Sequence, residues 1–162
     1  MLMPGILLPV GLLESASVAY IHYLSFMLCF GALIYERISL KPNPDRQDAI
    51  RMVLADIIYG VAGIALLISG IYRVIKFGQG ADFYTQNPIF WIKVIIFALV
   101  GSLSLYPTIT YVLWAIPLSK GTLPDVTQNL VSRLRLIINL ELIGFASIPF
   151  FATLMARGIG IA

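Results

Sequence analysis

Residues 94–119 read VIIFALVGSLSLYPTITYVLWAIPLS, a run of 26 residues bounded by Lys93 and Lys120 with no charge among them. A helix crossing the hydrocarbon core of a bilayer needs about 20 mostly apolar residues, so this run is long enough to span a membrane by itself. Outward from it the same pattern recurs in shorter form. Between Glu14 and Glu36 lie 21 uncharged residues, between Asp56 and Arg73 16, and between Glu141 and Arg157 15. The last two stretches reach spanning length only if Asp56 and Glu141 sit within the bilayer region. The apolar pattern does continue past both, through Met52-Val53-Leu54-Ala55 and Leu136-Ile137-Ile138. Four spans are therefore expected, at about 15–40, 45–77, 88–116 and 124–156, in a single domain covering 1–162. The fold class is all-α integral membrane, a four-transmembrane-helix bundle.

Composition agrees with that reading. Of 162 residues, 59% are apolar and 12% charged, and the mean hydropathy is +0.92. Soluble domains carry about 25% charged residues, and a small soluble fold leaves too much surface exposed to hide this much apolar area. A disordered chain and an ordinary soluble enzyme are excluded. The lone Cys29 excludes a disulfide scaffold. The basic residues form no patch interleaved with aromatics, so nucleic acid is not a partner. The expected partners are the lipid bilayer and either a second copy or a larger membrane complex.

Local signals mark the span ends. Pro42 and Pro44 break the chain after the first span, and Asp45 can cap the second helix. Gly78 and Gly80 follow where a C-terminal glycine is expected. Asn87-Pro88 opens the third span, and Thr122 with Pro124 opens the fourth. Pro107 and Pro149 fall inside spans, where neighbouring helices can satisfy the freed carbonyls. Met1–Leu13 is apolar but lacks a basic leading region and is interrupted by Pro4, Gly5, Pro9 and Gly11. A cleaved signal peptide is not expected there; a short interfacial or re-entrant segment is. Lys and Arg count seven on the side of the first and third connections, against four on the other. That bias places both termini on the outer side.

Ionisable groups inside a bilayer are costly and mark functional sites. Four qualify: His22, Asp56, Lys93 and Glu141. His22, the only histidine, shares a helical face with Ser25, Cys29, Ala32 and Glu36, a small and polar stripe suited to a bundle interior. A neutral imidazole there either bonds a neighbouring helix or ligates a metal or haem iron. Lys93 either snorkels to the interface beside Trp91 or lies level with His22 and receives an anionic group. Asp56 is expected to share an inward face with Gly60, Gly63 and Gly70, and Glu141 with Gly144 and Ser147. Those two carboxyls suit either a structural ion pair, such as Asp56 with Arg133, or a proton path. No zinc-ligand spacing, phosphate-binding loop or methionine cluster is present.

A histidine early in the first span, the run Phe30-Gly31-Ala32-Leu33-Ile34-Tyr35-Glu36-Arg37, and Trp91-Ile92-Lys93 opening the third span together carry a resemblance. Over about residues 15–156 the chain resembles a family of small bacterial and cyanobacterial predicted membrane proteins of unknown function. More distantly it is similar to HemJ-type protoporphyrinogen oxidases and CopD-type membrane domains. The HemJ likeness implies a haem b bound through His22, with Lys93 toward a propionate or anionic substrate and Asp56 and Glu141 handling protons. Where HemJ-type members often carry further histidines this chain has none; Leu105-Tyr106-Pro107 stands at one such place. A bis-histidine haem within one chain is therefore ruled out. The family likeness implies a bacterial inner membrane or a thylakoid membrane. The expected function is a haem-binding membrane oxidoreductase. The alternatives are a non-enzymatic accessory or assembly subunit of a larger membrane complex, and CopD-like metal transport.

Overall fold

The computed structural model describes residues 10–77 and 81–160. Its elements are α1 (Val10–Ser39), α2 (Arg46–Tyr72) continued by a π-helical turn (Arg73–Phe77), the short α3 (Ala81–Thr85), α4 (Pro88–Ser119) and α5 (Gln128–Ala156). Among the described residues four helices are long and apolar enough to cross a membrane: Gly11–Ser39, Arg46–Phe77, Pro88–Ser119 and Gln128–Ala156. The protein is an all-α membrane bundle. Ile57, Val61, Ile64, Ile68 and Ile71 of α2 and Leu99, Leu105, Ile109, Val112 and Leu113 of α4 lie exposed on its outside. Water would not tolerate apolar patches of that extent, and lipid does.

The helix starts follow from side-chain caps. The Asp48 amide donates to the Asp45 carboxylate at 2.8 Å, and this bond holds the Asp45 carboxyl below its ordinary range. Lys41 pairs with Asp48, and that contact raises the Lys41 ammonium above its usual value. Asn87 accepts from the Ile89 amide at 2.9 Å, with Pro88 in the first helical position where no N–H is needed. The fourth span starts later than its prolines suggest. Thr127 accepts from the Leu130 amide at 3.3 Å, so the helix opens at Gln128 rather than at 124. Residues 122–127 instead lie outside any helix, and the Asn43 amide donates to the Val126 carbonyl at 3.1 Å, joining the two connections.

The third span runs on through Pro117 to Ser119, and Gly121 follows in the left-handed region (φ 77°) that a glycine terminator supplies. Residues 10–13 belong to α1 rather than to a separate segment. The remainder of the expected interfacial segment, and the Gly78 and Gly80 terminator, lie outside the described residues.

Around the bundle the order is α1, α2, α4, α5, with α1 packing most extensively on α2 and α4 on α5. The core stripe of α1 is Ser25, Cys29, Ala32, Leu33 and Glu36, the face expected from its small and polar residues, and Leu40 just past the helix is buried with them. The core stripe of α2 is Met52, Ala55, Asp56, Tyr59, Ala62, Leu66 and Ser69. Gly60, expected to share the inward face of Asp56, is exposed instead. One end of the bundle carries the α1–α2 and α4–α5 connections and is called the loop end below; the other is the terminal end. At the loop end the Arg37 Nε donates to Asn139 Oδ1 at 2.5 Å, and the Arg135 guanidinium donates to the Leu40 carbonyl at 2.6 Å. Both bonds fix α5 against the end of α1, where a cation suits the exposed carbonyls of a helix C-terminus.

Candidate functional site

Each long helix sends an acidic or phenolic group into the half of the core nearer the loop end, and α2 adds the buried phenol Tyr59 beside its carboxyl. Glu36 comes from α1, one turn before its end. Asp56 comes from α2, Tyr111 from α4 and Glu141 from α5. All four are buried, and Glu36, Tyr111 and Glu141 are 1%, 0% and 0% exposed. They form one layer: Glu36 lies in the electrostatic field of Asp56 and Glu141, and Tyr111 in that of all three carboxyls.

Hydrogen bonding in the layer is incomplete. Thr108, one turn before Tyr111, donates to Asp56 Oδ1 at 2.7 Å. Both carboxyl oxygens of Glu141, Oε1 of Glu36 and the Tyr111 hydroxyl have no partner. Nor does a cation pair with the layer. Among the described residues the one ion pair is Lys41 with Asp48. The expected Asp56–Arg133 pair does not form, because Arg133 faces outward while Thr108 takes the Asp56 oxygen. Arg37 and Arg135, the two guanidiniums nearer the core, are bonded to Asn139 and the Leu40 carbonyl.

Glu36 and Tyr111 were not singled out as site residues from sequence. Glu36 ends the polar stripe that begins at His22. Tyr111 belongs to the buried series Pro107, Tyr111, Trp114 and Leu118, a helical spacing that was there to be read.

His22 and Lys93 lie elsewhere. Fourteen residues separate His22 from Glu36 along α1, about 21 Å at helical rise. The His22 Nδ1 lies 3.0 Å from Ser69 Oγ and 3.2 Å from the Leu66 carbonyl. Ser69 Oγ itself donates to the Ala65 carbonyl at 2.6 Å. A carbonyl only accepts, so this geometry assigns the proton to Nδ1 and leaves the Nε2 lone pair free. Gly70 makes the approach possible, because a Cβ there would stand 3.2 Å from the imidazole Cε1. Arg73 and Lys93 both act electrostatically on His22, so the three basic groups share the terminal end. Arg73 lies over the Tyr23 ring at 5.1 Å, and the Lys93 ammonium is 5.8 Å from the Phe90 centroid. Of the four residues expected at the site, the structure thus groups Asp56 with Glu141 and His22 with Lys93, in two separate layers.

Four spanning helices with ionisable residues in their shared core define an integral membrane protein. The chain belongs to the family described as "Predicted membrane protein (DUF2214)", whose pattern it matches over residues 14–160. Neither a curated protein nor a solved structure matches it.

Proposed function

We propose that this protein handles protons within the membrane, with the Glu36–Asp56–Tyr111–Glu141 layer as the site of exchange. One observation carries the reading: both oxygens of Glu141 and the hydroxyl of Tyr111 are buried without a partner in the same layer. An ionised carboxylate in a dry interior costs several kcal/mol unless it is paired, and among the described residues no ion pair reaches this layer. Charges on Glu36, Asp56 and Glu141 within one another's electrostatic field add to the cost. A proton removes the charge and turns one carboxyl oxygen into a donor that can pass the proton on.

The groups then exchange protons as a set rather than one by one. Glu36, one turn from the end of α1, is the entry nearest the loop-end water, and Asp56 and Glu141 lie deeper. The ligand arrangement favours the proton over a multivalent metal: among the described residues no three His, Cys, Asp or Glu side chains are grouped to hold one. Proteoliposomes under a potassium-diffusion potential, with a trapped pH-sensitive dye, test the reading. The wild type is expected to pass protons, and Glu36→Gln and Glu141→Gln to fall to the rate of protein-free liposomes. A wild type that passes protons no faster than empty liposomes overturns it.

A second reading rests on His22. Its Nδ1 is held by α2 and its Nε2 is free, which is how a histidine is oriented for metal ligation. The free imidazole nitrogen is a donor that suits haem iron, and a bound haem b would supply one-electron redox chemistry to a HemJ-like oxidoreductase. In this reading His22 would hold the iron, Lys93 and Arg73 would neutralise propionates, and Asp56 and Glu141 would move the accompanying protons. His22 is the only histidine of the sequence, so any further ligand would be of another type or from another chain. Purified protein mixed with haem b is expected to develop a Soret band that His22→Ala removes. A band unchanged in His22→Ala sinks the assignment.

A further inference from the structure

The α1–α2 seam opens on its lipid side into a groove of about 310 Å³. Met27, Leu28 and Tyr35 of α1 face Leu54 and Ile58 of α2 across it, and Arg51 is its one charged side chain. The groove runs along the bundle axis, because Tyr35 to Met27 covers two turns of α1, roughly 12 Å. Its loop end holds Tyr35 and Arg51, and its other end is wholly apolar. Gly31 borders open space: a Cβ there would meet nothing within 4 Å. Arg51 is exposed and enters no ion pair or hydrogen bond among the described residues.

We infer that the groove seats one acyl chain of an anionic phospholipid, with the phosphate on Arg51. Charge complementarity selects the occupant. An unpaired guanidinium presents a planar fork that fits phosphate oxygens, and it stands at the loop end of the bundle, where the chain also carries Arg46. Tyr35 is suited to the headgroup level, since its ring is apolar and its hydroxyl polar. A straight apolar channel leading from such a pair into the bilayer matches the shape of a lipid. Two of its lining residues neighbour the carboxyl layer along the chain: Asp56 follows Ala55, and Glu36 is one turn from Ala32.

Native mass spectrometry of the full chain, with phosphatidylglycerol or phosphatidylcholine added to the detergent, tests the inference. Phosphatidylglycerol is expected to be retained preferentially. Arg51→Gln is expected to weaken that retention about fivefold, the scale of one cationic side chain at an anionic surface. Arg46→Gln, outside the groove, is expected to leave it unchanged. Equal retention of the two lipids overturns the inference, as does an Arg51→Gln chain that holds phosphatidylglycerol like the wild type. If Gly31→Leu instead shifts a dimer to a monomer and leaves lipid adducts intact, the occupant is a second copy and the inference fails. Proton passage by the carboxyl layer is scored separately, so neither result decides the other.

Discussion

Glu141→Met is expected to unfold at a higher temperature than the wild type while no longer passing protons. The two results come from one cause. Glu141 is 0% exposed and neither of its carboxyl oxygens finds a donor. A buried polar group left unsatisfied costs about 1–3 kcal/mol, and a buried charge costs more. Methionine has nearly the length of glutamate, is flexible enough to fill the same space, and brings no polar oxygen. Ile138 and Phe145, one turn away on either side, are buried and apolar, so the thioether joins an existing core. The expected gain is about 1–3 kcal/mol of stability in detergent. Its counterpart is lost function, because thioether sulfur does not carry a proton at these pH values. Such a trade of stability for activity is what a functional polar group in an apolar core implies. A Glu141→Met protein less stable than the wild type, with proton passage intact, would show that the carboxyl is structural.

Gly144→Ala should strongly weaken the seam between α4 and α5. A Cβ at Gly144 would lie 2.5 Å from Val100 Cγ2, whereas carbon atoms pack at about 3.5–4.0 Å. Val100 has little freedom to yield, since it is itself buried and branched at Cβ, with one favoured rotamer in a helix. The helices must part, and the strain falls on Phe145, whose ring meets Phe26 in a tilted contact at 5.3 Å and Tyr59 edge-on at 6.3 Å. Overpacking of this kind costs about 1–3 kcal/mol. Removing the opposing methyls in the Gly144→Ala/Val100→Ala double variant should recover most of that loss, a coupling between touching residues of about 0.5–3 kcal/mol. Thermal unfolding of the four members of the cycle measures it. Strictly additive losses would mean that the two residues do not touch.

How far the sequence led is clearest at particular residues. The spans at 15–40, 45–77 and 88–116 were legible because charges bound long apolar runs, and Asp45 and Asn87 cap where their residue types suggest. Proline misled once: Pro124 looks like a first-turn proline, but the cap is Thr127. The inward face of α1 was legible because its stripe contains Ser25, Cys29 and Glu36. That of α2 was not: Gly60 faces out while Tyr59 and Leu66 face in. In water the polarity contrast marks a helix's core face, but in lipid both faces are apolar and the neighbours decide.

The same limit explains the site. Asp56 and Glu141 were singled out as buried charges, but which helices would face them was not encoded locally. Only the ring order α1, α2, α4, α5 brings Glu36 and Tyr111 to them and separates them from His22 and Lys93.

The central claim is that the Glu36–Asp56–Tyr111–Glu141 layer holds exchangeable protons. Infrared difference spectroscopy of the protein in lipid, through a stepwise change of pH, tests it most directly. A protonated carboxyl has a C=O stretch separate from the carboxylate bands. The wild type should show such a stretch, shifted on exchange into heavy water, and Glu141→Gln should diminish it. Carboxylate bands alone, or a carbonyl stretch identical in wild type and Glu141→Gln, would contradict the account.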